Sequence, residues 1–162
     1  MREFLFQQEL WLPRSPEQLF PFFADVGNLN LITPPWLCFQ IVTPQPVTMR
    51  VGILIDYRLR IRTLPLRWRT RINAWEPPHY FEDEQVRGPY RRWIHQHTFE
   101  AHDGGTLTRD RVSYSVCGGG IIDQLFVRQD ITRIFEFRSR ALVNLFGAKM
   151  DRTDYRTEPA PG

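Results

Sequence analysis

Lysine is almost missing from this chain: of its 21 basic residues, all but Lys149 are arginine. Arginine covers apolar surface and pairs bidentately with carboxylates, although genomic base composition produces the same bias without any function. The net charge is only +3, too small by itself to indicate nucleic-acid binding. Cysteine is scarce as well. Cys38 and Cys117 have no CxxC spacing and no companion histidine at zinc-site spacing, which argues against a disulfide framework or a structural metal. They are predicted to be reduced, semi-buried thiols. Nowhere do 18 apolar residues run together, and the first residues, MREFLFQQELWLPRSPEQ, show neither a leader-type apolar core nor a small-residue cleavage site. A cytoplasmic protein without a transmembrane segment is expected. Missing too are a Ser-His-Asp order, a glycine-rich phosphate loop and HExxH, so hydrolysis by an activated serine, nucleotide binding and metalloprotease chemistry have no positive support.

Aromatic residues, in contrast, are plentiful at 14%, with 12 Phe, 5 Trp and 5 Tyr among 162 residues. Such a chain folds unaided, and its length suits one core that buries about two thirds of the unfolded surface. A single domain over 1–150 with a polar, flexible tail over 151–162 is expected.

Phe4, Phe6, Leu10 and Leu12 alternate with polar residues, as a half-buried strand requires. Ser15-Pro16-Glu17-Gln18 is a helix start ahead of Leu19, Phe20, Phe22 and Phe23. The chain breaks at Thr33-Pro34-Pro35-Trp36 before a second strand near 37–43. From Val51, the residues Ile53, Ile55, Tyr57, Leu59 and Ile61 face one way and Asp56, Arg58, Arg60 and Arg62 the other. Leu66, Trp68, Thr70, Ile72 and Ala74 continue the inward set beyond Leu64-Pro65, which reads as a hairpin loop. Strands near 79–86, 90–102 and 106–116 follow, the last two joined by a turn at Asp103-Gly104-Gly105. After Gly118-Gly119-Gly120, a flexible joint, an apolar stripe through Ile121, Leu125, Ile131, Ile134, Phe135, Leu142, Leu145 and Phe146 predicts a helix of about 40 Å.

The order of strand, short helices, six strands and long terminal helix resembles the helix-grip fold of the SRPBCC, or START-like, superfamily. The string Arg67-Trp68-Arg69, Pro77-Pro78, Phe81-Glu82-Asp83-Glu84-Gln85, Gly88-Pro89-Tyr90, Trp93, His95-Gln96-His97-Thr98-Phe99, Gly105-Thr106, Asp110 and Tyr114 is similar to bacterial members described as cyclase/dehydrase-like, and occasionally as cell-division inhibitors. The resemblance implies an α+β fold in which a curved seven-stranded antiparallel sheet wraps the C-terminal helix, with two short helices between strands 1 and 2. It further implies a hydrophobic cavity between sheet and helix, the kind of concave site where small molecules bind.

Projected onto that fold, the alternation puts Tyr57, Trp68, Thr70, Phe81, Asp83, Gln85, Trp93, His95, His97, Phe99, Asp110, Val112 and Tyr114 on the cavity side. His95 and His97, two apart on one strand, point to the same face at about 7 Å spacing. Asp83 and Asp110 fall on the flanking strands, where a carboxylate would raise a histidine pKa. Three readings follow for this cluster: mutual bracing of buried polar groups, hydrogen bonding to a ligand, or acid–base catalysis that enolises or dehydrates a polyketone. Local spacing supplies no third ligand to the His-x-His pair, so neither a metal nor another cofactor is expected.

On the outer face, the hairpin register sets Arg58 against Arg71, Arg60 against Arg69 and Arg62 against Arg67. Like charges so placed need an offset. Glu82 and Glu84 would provide an ion-pair ladder; the alternative is an anionic partner, whether a protein, a membrane surface or RNA. No exposed aromatic ladder accompanies these arginines, which argues against nucleic acid. Trp36 belongs either to a lid at the pocket mouth or to a loop anchor.

The leading expectation is a non-catalytic binding protein for an apolar or aromatic small molecule that is lipid-, polyketide- or isoprenoid-like. A cyclase or dehydratase that uses His95, His97, Asp83 and Asp110 is the second, and a protein-interaction module acting through the arginine face is the third.

Overall fold

The computed structural model describes residues 2–147 and 155–159. Strand β1 (Phe4–Leu12) leads into α1 (Pro16–Ala24), whose start is set by Pro16 and by the Ser15 backbone N–H donating to Gln18 Oε1 at 3.2 Å. A short α2 (Leu29–Ile32) follows, and a single helical turn at Pro35–Leu37 leads to β2 (Gln40–Ile41). This second strand is shorter than predicted because the prolines hold the chain in the turn and Phe39 packs on Tyr57 just before the pairing begins. Then come β3 (Leu54–Ile61), β4 (Leu64–Glu76), β5 (Tyr80–Arg87), β6 (Arg92–His102) and β7 (Gly105–Ser115). All pairings are antiparallel, in the order β2-β3-β4-β5-β6-β7-β1.

The sheet has one more strand than the seven expected. Tyr155–Pro159 form β8 along the free edge of β1, so this part of the predicted flexible tail is ordered into the sheet. Backbone hydrogen bonds can cover an open edge without any apolar pattern in the covering segment, which is why composition did not reveal it. The other tail positions lie outside the described residues.

The terminal helix begins as α3 (Gly119–Ile122), passes through one π-helical turn at Asp123–Val127 and continues as α4 (Arg128–Phe146), closed by Gly147 at φ 73°. The π turn carries Asp123, which is 1% exposed and accepts a hydrogen bond from the Tyr114 hydroxyl at 2.6 Å. The α4 helix crosses the concave face of the sheet. At one end Ile131 and Phe135 pack on Phe4, Phe6, Val112 and Tyr114; at the other Leu142 and Val143 pack on Leu10, Leu12, Leu19 and Ile32. Between the two clusters the buried Gln8 side chain donates to Ser139 Oγ. Leu145, expected on the apolar stripe, is exposed, and the side chains of Ile121 and Leu125 lie outside the described residues.

Two register details depart from the expectation. The β3–β4 turn is Arg62-Thr63, with Arg62 at φ 57°, rather than Leu64-Pro65. Arg58 therefore faces Arg67, Asp56 faces Arg69 and Leu54 faces Arg71. Alternation repeats every two residues, so an even shift leaves each side chain on its predicted face and cannot be seen in the pattern. The second detail is a bulge in β4 opposite β5, between Ile72 and Ala74. It turns Trp75 inward in place of Ala74, and Trp75 meets Phe20 at 5.1 Å and Phe81 at 5.6 Å. Val51 precedes β3 and is exposed, as are both cysteines, which were expected to be half-buried.

The new register also resolves the arginine face differently. Asp56 accepts from Arg69 Nε and Nη2 at 2.7 and 2.9 Å, Arg71 pairs with Glu84, and Arg62 reaches Asp130 on α4 at 3.1 Å. Glu82 instead accepts from Tyr80, Asn73 and Gln96. Among the described residues, no carboxylate pairs with Arg58, Arg60 or Arg67. Exposed pairs of this kind contribute at most about 1 kcal/mol each.

Candidate functional site

Between α4 and the sheet lies a cavity of about 230 Å³. Its sheet wall carries Tyr57, Trp68, Thr70, Phe81, Asp83, Trp93, His95 and His97, each placed there by the alternation of its strand. The α4 wall adds Ile131, Ile134, Phe135 and Arg138, while Phe22, Phe23, Val26 and Leu29 close it from the short-helix side. The lining is mostly apolar, and the polar groups gather on one side. Tyr57 is buried, its hydroxyl has no hydrogen-bond partner among the described residues, and burial pushes its pKa up, with Asp83 and Asp56 adding to the shift.

Gln85, Phe99, Asp110, Val112 and Tyr114, all expected on the cavity side, stand off its wall. Gln85 clamps the following turn, donating to the Tyr90 carbonyl at 2.7 Å and accepting from its N–H at 3.2 Å. A side chain at Gly88 would collide with this clamp, since a Cβ there would lie 2.2 Å from Gln85 Oε1. Phe99 belongs to the core with Phe20 and Phe81, Val112 and Tyr114 are covered by the Phe4–Phe135 cluster, and Asp110 sits behind the two histidines.

The histidine rings do not stand 7 Å apart. They lean together to 3.7 Å between centroids, because Asp110 Oδ1 lies 2.8 Å from His95 Nε2 and 2.9 Å from His97 Nδ1. On the other side of the pair, Asp83 Oδ2 lies 3.2 Å from His97 Nε2 and 3.9 Å from His95 Nδ1. Phe81 stacks on His97 at 4.0 Å and Phe135 meets His95 edge-on at 5.5 Å. These contacts leave the rings little freedom to turn.

Burial decides the electrostatics of His95. It lowers the pKa to about 4, with help from the neighbouring His97, against the opposing pull of Asp110 and Asp83. The expectation that a carboxylate would raise this histidine is thus reversed, since removing water from a charged ring costs more than the nearby carboxylates return. Burial pushes Asp110 upward, but the Arg138 charge and the bonds from His95 and His97 outweigh it and hold the carboxyl well below its usual range. Asp110 is a buried anion bonded to a neutral His95.

Arg138 escaped the sequence reading, although a signal was present: it lies on the buried stripe, three residues after Phe135 and four before Leu142. Its guanidinium is 3.7 Å from Asp110 and rests over the Phe23 and Phe135 rings at 5.7 and 6.0 Å. Its Nε is buried without a hydrogen-bond partner. Asp123 escaped as well, since nothing in the pattern announced a π turn. Trp36 is 47% exposed and stands off the cavity wall: its ring meets Phe137 at 5.6 Å and lies under Arg133 at 5.7 Å, both on α4, while the neighbouring Leu37 and Thr33 reach the cavity.

A curved antiparallel sheet gripping one long helix over a lined cavity defines a helix-grip domain. The chain belongs to the family described as "Polyketide cyclase / dehydrase and lipid transport", whose model matches residues 12–137. Among solved structures it is similar to Ara h 8.0201, with 17% identity and TM-score 0.67 over 91% of this chain and 99% of that one. CV1439 from Chromobacterium violaceum is 12% identical with TM-score 0.70 (90% and 98% covered), and major latex-like protein 151 from Panax ginseng is 9% identical with TM-score 0.67 (89% and 97% covered). At these identities the likeness concerns the fold. A search of curated protein sequences gives no match. Among the described residues, no helix is long and apolar enough to cross a membrane.

Proposed function

We propose that the protein binds an apolar or aromatic small molecule carrying an oxygen function, held in the cavity between α4 and the sheet. The observation that carries this reading is Arg138, a nearly buried cation that lines a mostly apolar cavity beside a histidine–aspartate cluster. A ligand oxygen on that side of the cavity meets Arg138 and Tyr57, both on its lining, while the rest of the molecule packs on apolar side chains. The cavity exceeds the roughly 150 Å³ engineered void that admits benzene, so a substituted ring fits. The lipid-, polyketide- or isoprenoid-like ligands expected from the sequence share this chemistry.

One observation favours a second use of the same site. His97 has a carboxylate oxygen within 3.2 Å of each ring nitrogen, yet a neutral imidazole carries one N–H. With Nδ1 donating to Asp110, His97 Nε2 faces Asp83 at the cavity wall, where the two can exchange a proton. That placement suits the acid–base chemistry of a cyclase or dehydratase acting on a bound polyketone.

The test uses an apolar fluorescent probe. Wild-type protein is expected to bind it saturably at one site, and Thr70→Trp, which fills the cavity from the sheet side, to lose that binding while keeping its circular dichroism. Binding that survives the filled cavity, or never saturates, places the probe elsewhere and removes the reading.

A further inference from the structure

Asp110 orients both histidines. Its Oδ1 lies 2.8 Å from His95 Nε2 and 2.9 Å from His97 Nδ1, and both contacts are hydrogen bonds when these two nitrogens carry the hydrogen and the oxygen accepts. In neutral rings the lone pairs then fall on His95 Nδ1 and His97 Nε2. These are the atoms turned toward Asp83, whose Oδ2 is 3.9 Å from the first and 3.2 Å from the second. One donor atom from each of Asp83, His95 and His97 lies within 4.8 Å of the others. Three electron-pair donors thus converge at the cavity wall, while the Arg138 guanidinium lies 3.7 Å from Asp110.

We infer that Asp83, His95 and His97 form a binding site for a divalent transition-metal ion, with Asp110 as the carboxylate that orients both imidazoles and with open coordination positions facing the cavity. Two imidazoles and one carboxylate suit Zn²⁺, Co²⁺, Ni²⁺ or Fe²⁺, whereas Mg²⁺ and Ca²⁺ prefer all-oxygen sites. A carboxylate bonded to the far nitrogen of a ligating histidine is the usual outer support of such sites, and here one oxygen supports two rings. The third ligand that His-x-His lacks in sequence comes from the adjoining strand, where the register sets Asp83 opposite His95. Two neutral imidazoles and one carboxylate leave a divalent ion with a net positive charge that attracts a ligand oxygen. This inference stands apart from the binding reading, since a metal site and an organic ligand are detected separately.

Chelator-treated wild-type protein titrated with Co²⁺ tests it. Expected are saturable visible ligand-field bands at one ion per chain, bleached by Zn²⁺ and unaffected by Mg²⁺. His97→Gln and Asp83→Asn should lose the bands, Asp110→Asn should weaken binding about 10- to 100-fold, and His79→Ala and His102→Ala should change nothing. Absence of saturable bands in the wild type overturns the inference, as does loss of the bands in His79→Ala or His102→Ala. Should His97→Gln or Asp83→Asn not fold, the histidine ring resonances of the wild type with Zn²⁺ decide: shifts at His95 and His97 support the site, and shifts confined to His79 and His102 contradict it.

Discussion

Asp110→Ala is expected to destabilise the fold by about 3–5 kcal/mol in urea or guanidinium unfolding, the scale for removing one partner of a buried charge network. Asp110 is 9% exposed and its carboxylate lies within reach of His95, His97 and Arg138 together, so its loss strands a nearly buried guanidinium and two imidazole N–H groups at once. Asp110→Asn should cost less, because the amide oxygen still accepts one of these bonds. A loss below about 1 kcal/mol for the alanine variant would mean that water replaces the carboxylate freely, and that the cluster is not the closed network described.

Phe135→Ala should be of comparable size, about 3–5 kcal/mol by the same unfolding measurement. Phe135 is 4% exposed and meets Phe6 at 4.7 Å and His95 at 5.5 Å, so it joins the sheet core, the helix and the polar cluster. Because it also lines the cavity, the deletion enlarges that space as it weakens the core. The variant should therefore accept a bulkier probe than the wild type does. A loss near zero would show that α4 does not need this contact to hold the sheet.

Both predictions depend on residues with different standing in the sequence. Phe135 was legible, since its place on the 3.6-residue stripe identifies it as core. Asp110, His95, His97 and Asp83 were legible as a group, because strand alternation assigns a face to every residue and the resemblance assigns that face to a cavity. What alternation cannot carry is distance along the strand. The β3–β4 hairpin lies four residues from its expected pairing with every side chain still on its predicted face, and the bulge at Asn73 exchanged Ala74 for Trp75 without leaving a polar marker. Nor does a period of two say how rings lean: the 3.7 Å approach of His95 and His97 follows from one shared oxygen on a neighbouring strand. Arg138 was hidden by its type, since arginine reads as surface even where helical phase makes it core. The β8 strand was hidden because edge pairing uses backbone groups that every sequence has.

The central claim is that the cavity between α4 and the sheet is a binding site for a small organic molecule. Native mass spectrometry of protein purified without denaturation tests it most directly, compared with the same sample after organic extraction. The account predicts a discrete added mass on the native chain that extraction releases as an apolar or aromatic compound, and that is missing from Thr70→Trp. An identical adduct on Thr70→Trp, or only the bare chain mass from wild-type protein both before and after supplying candidate aromatic and lipid-like compounds, would contradict it.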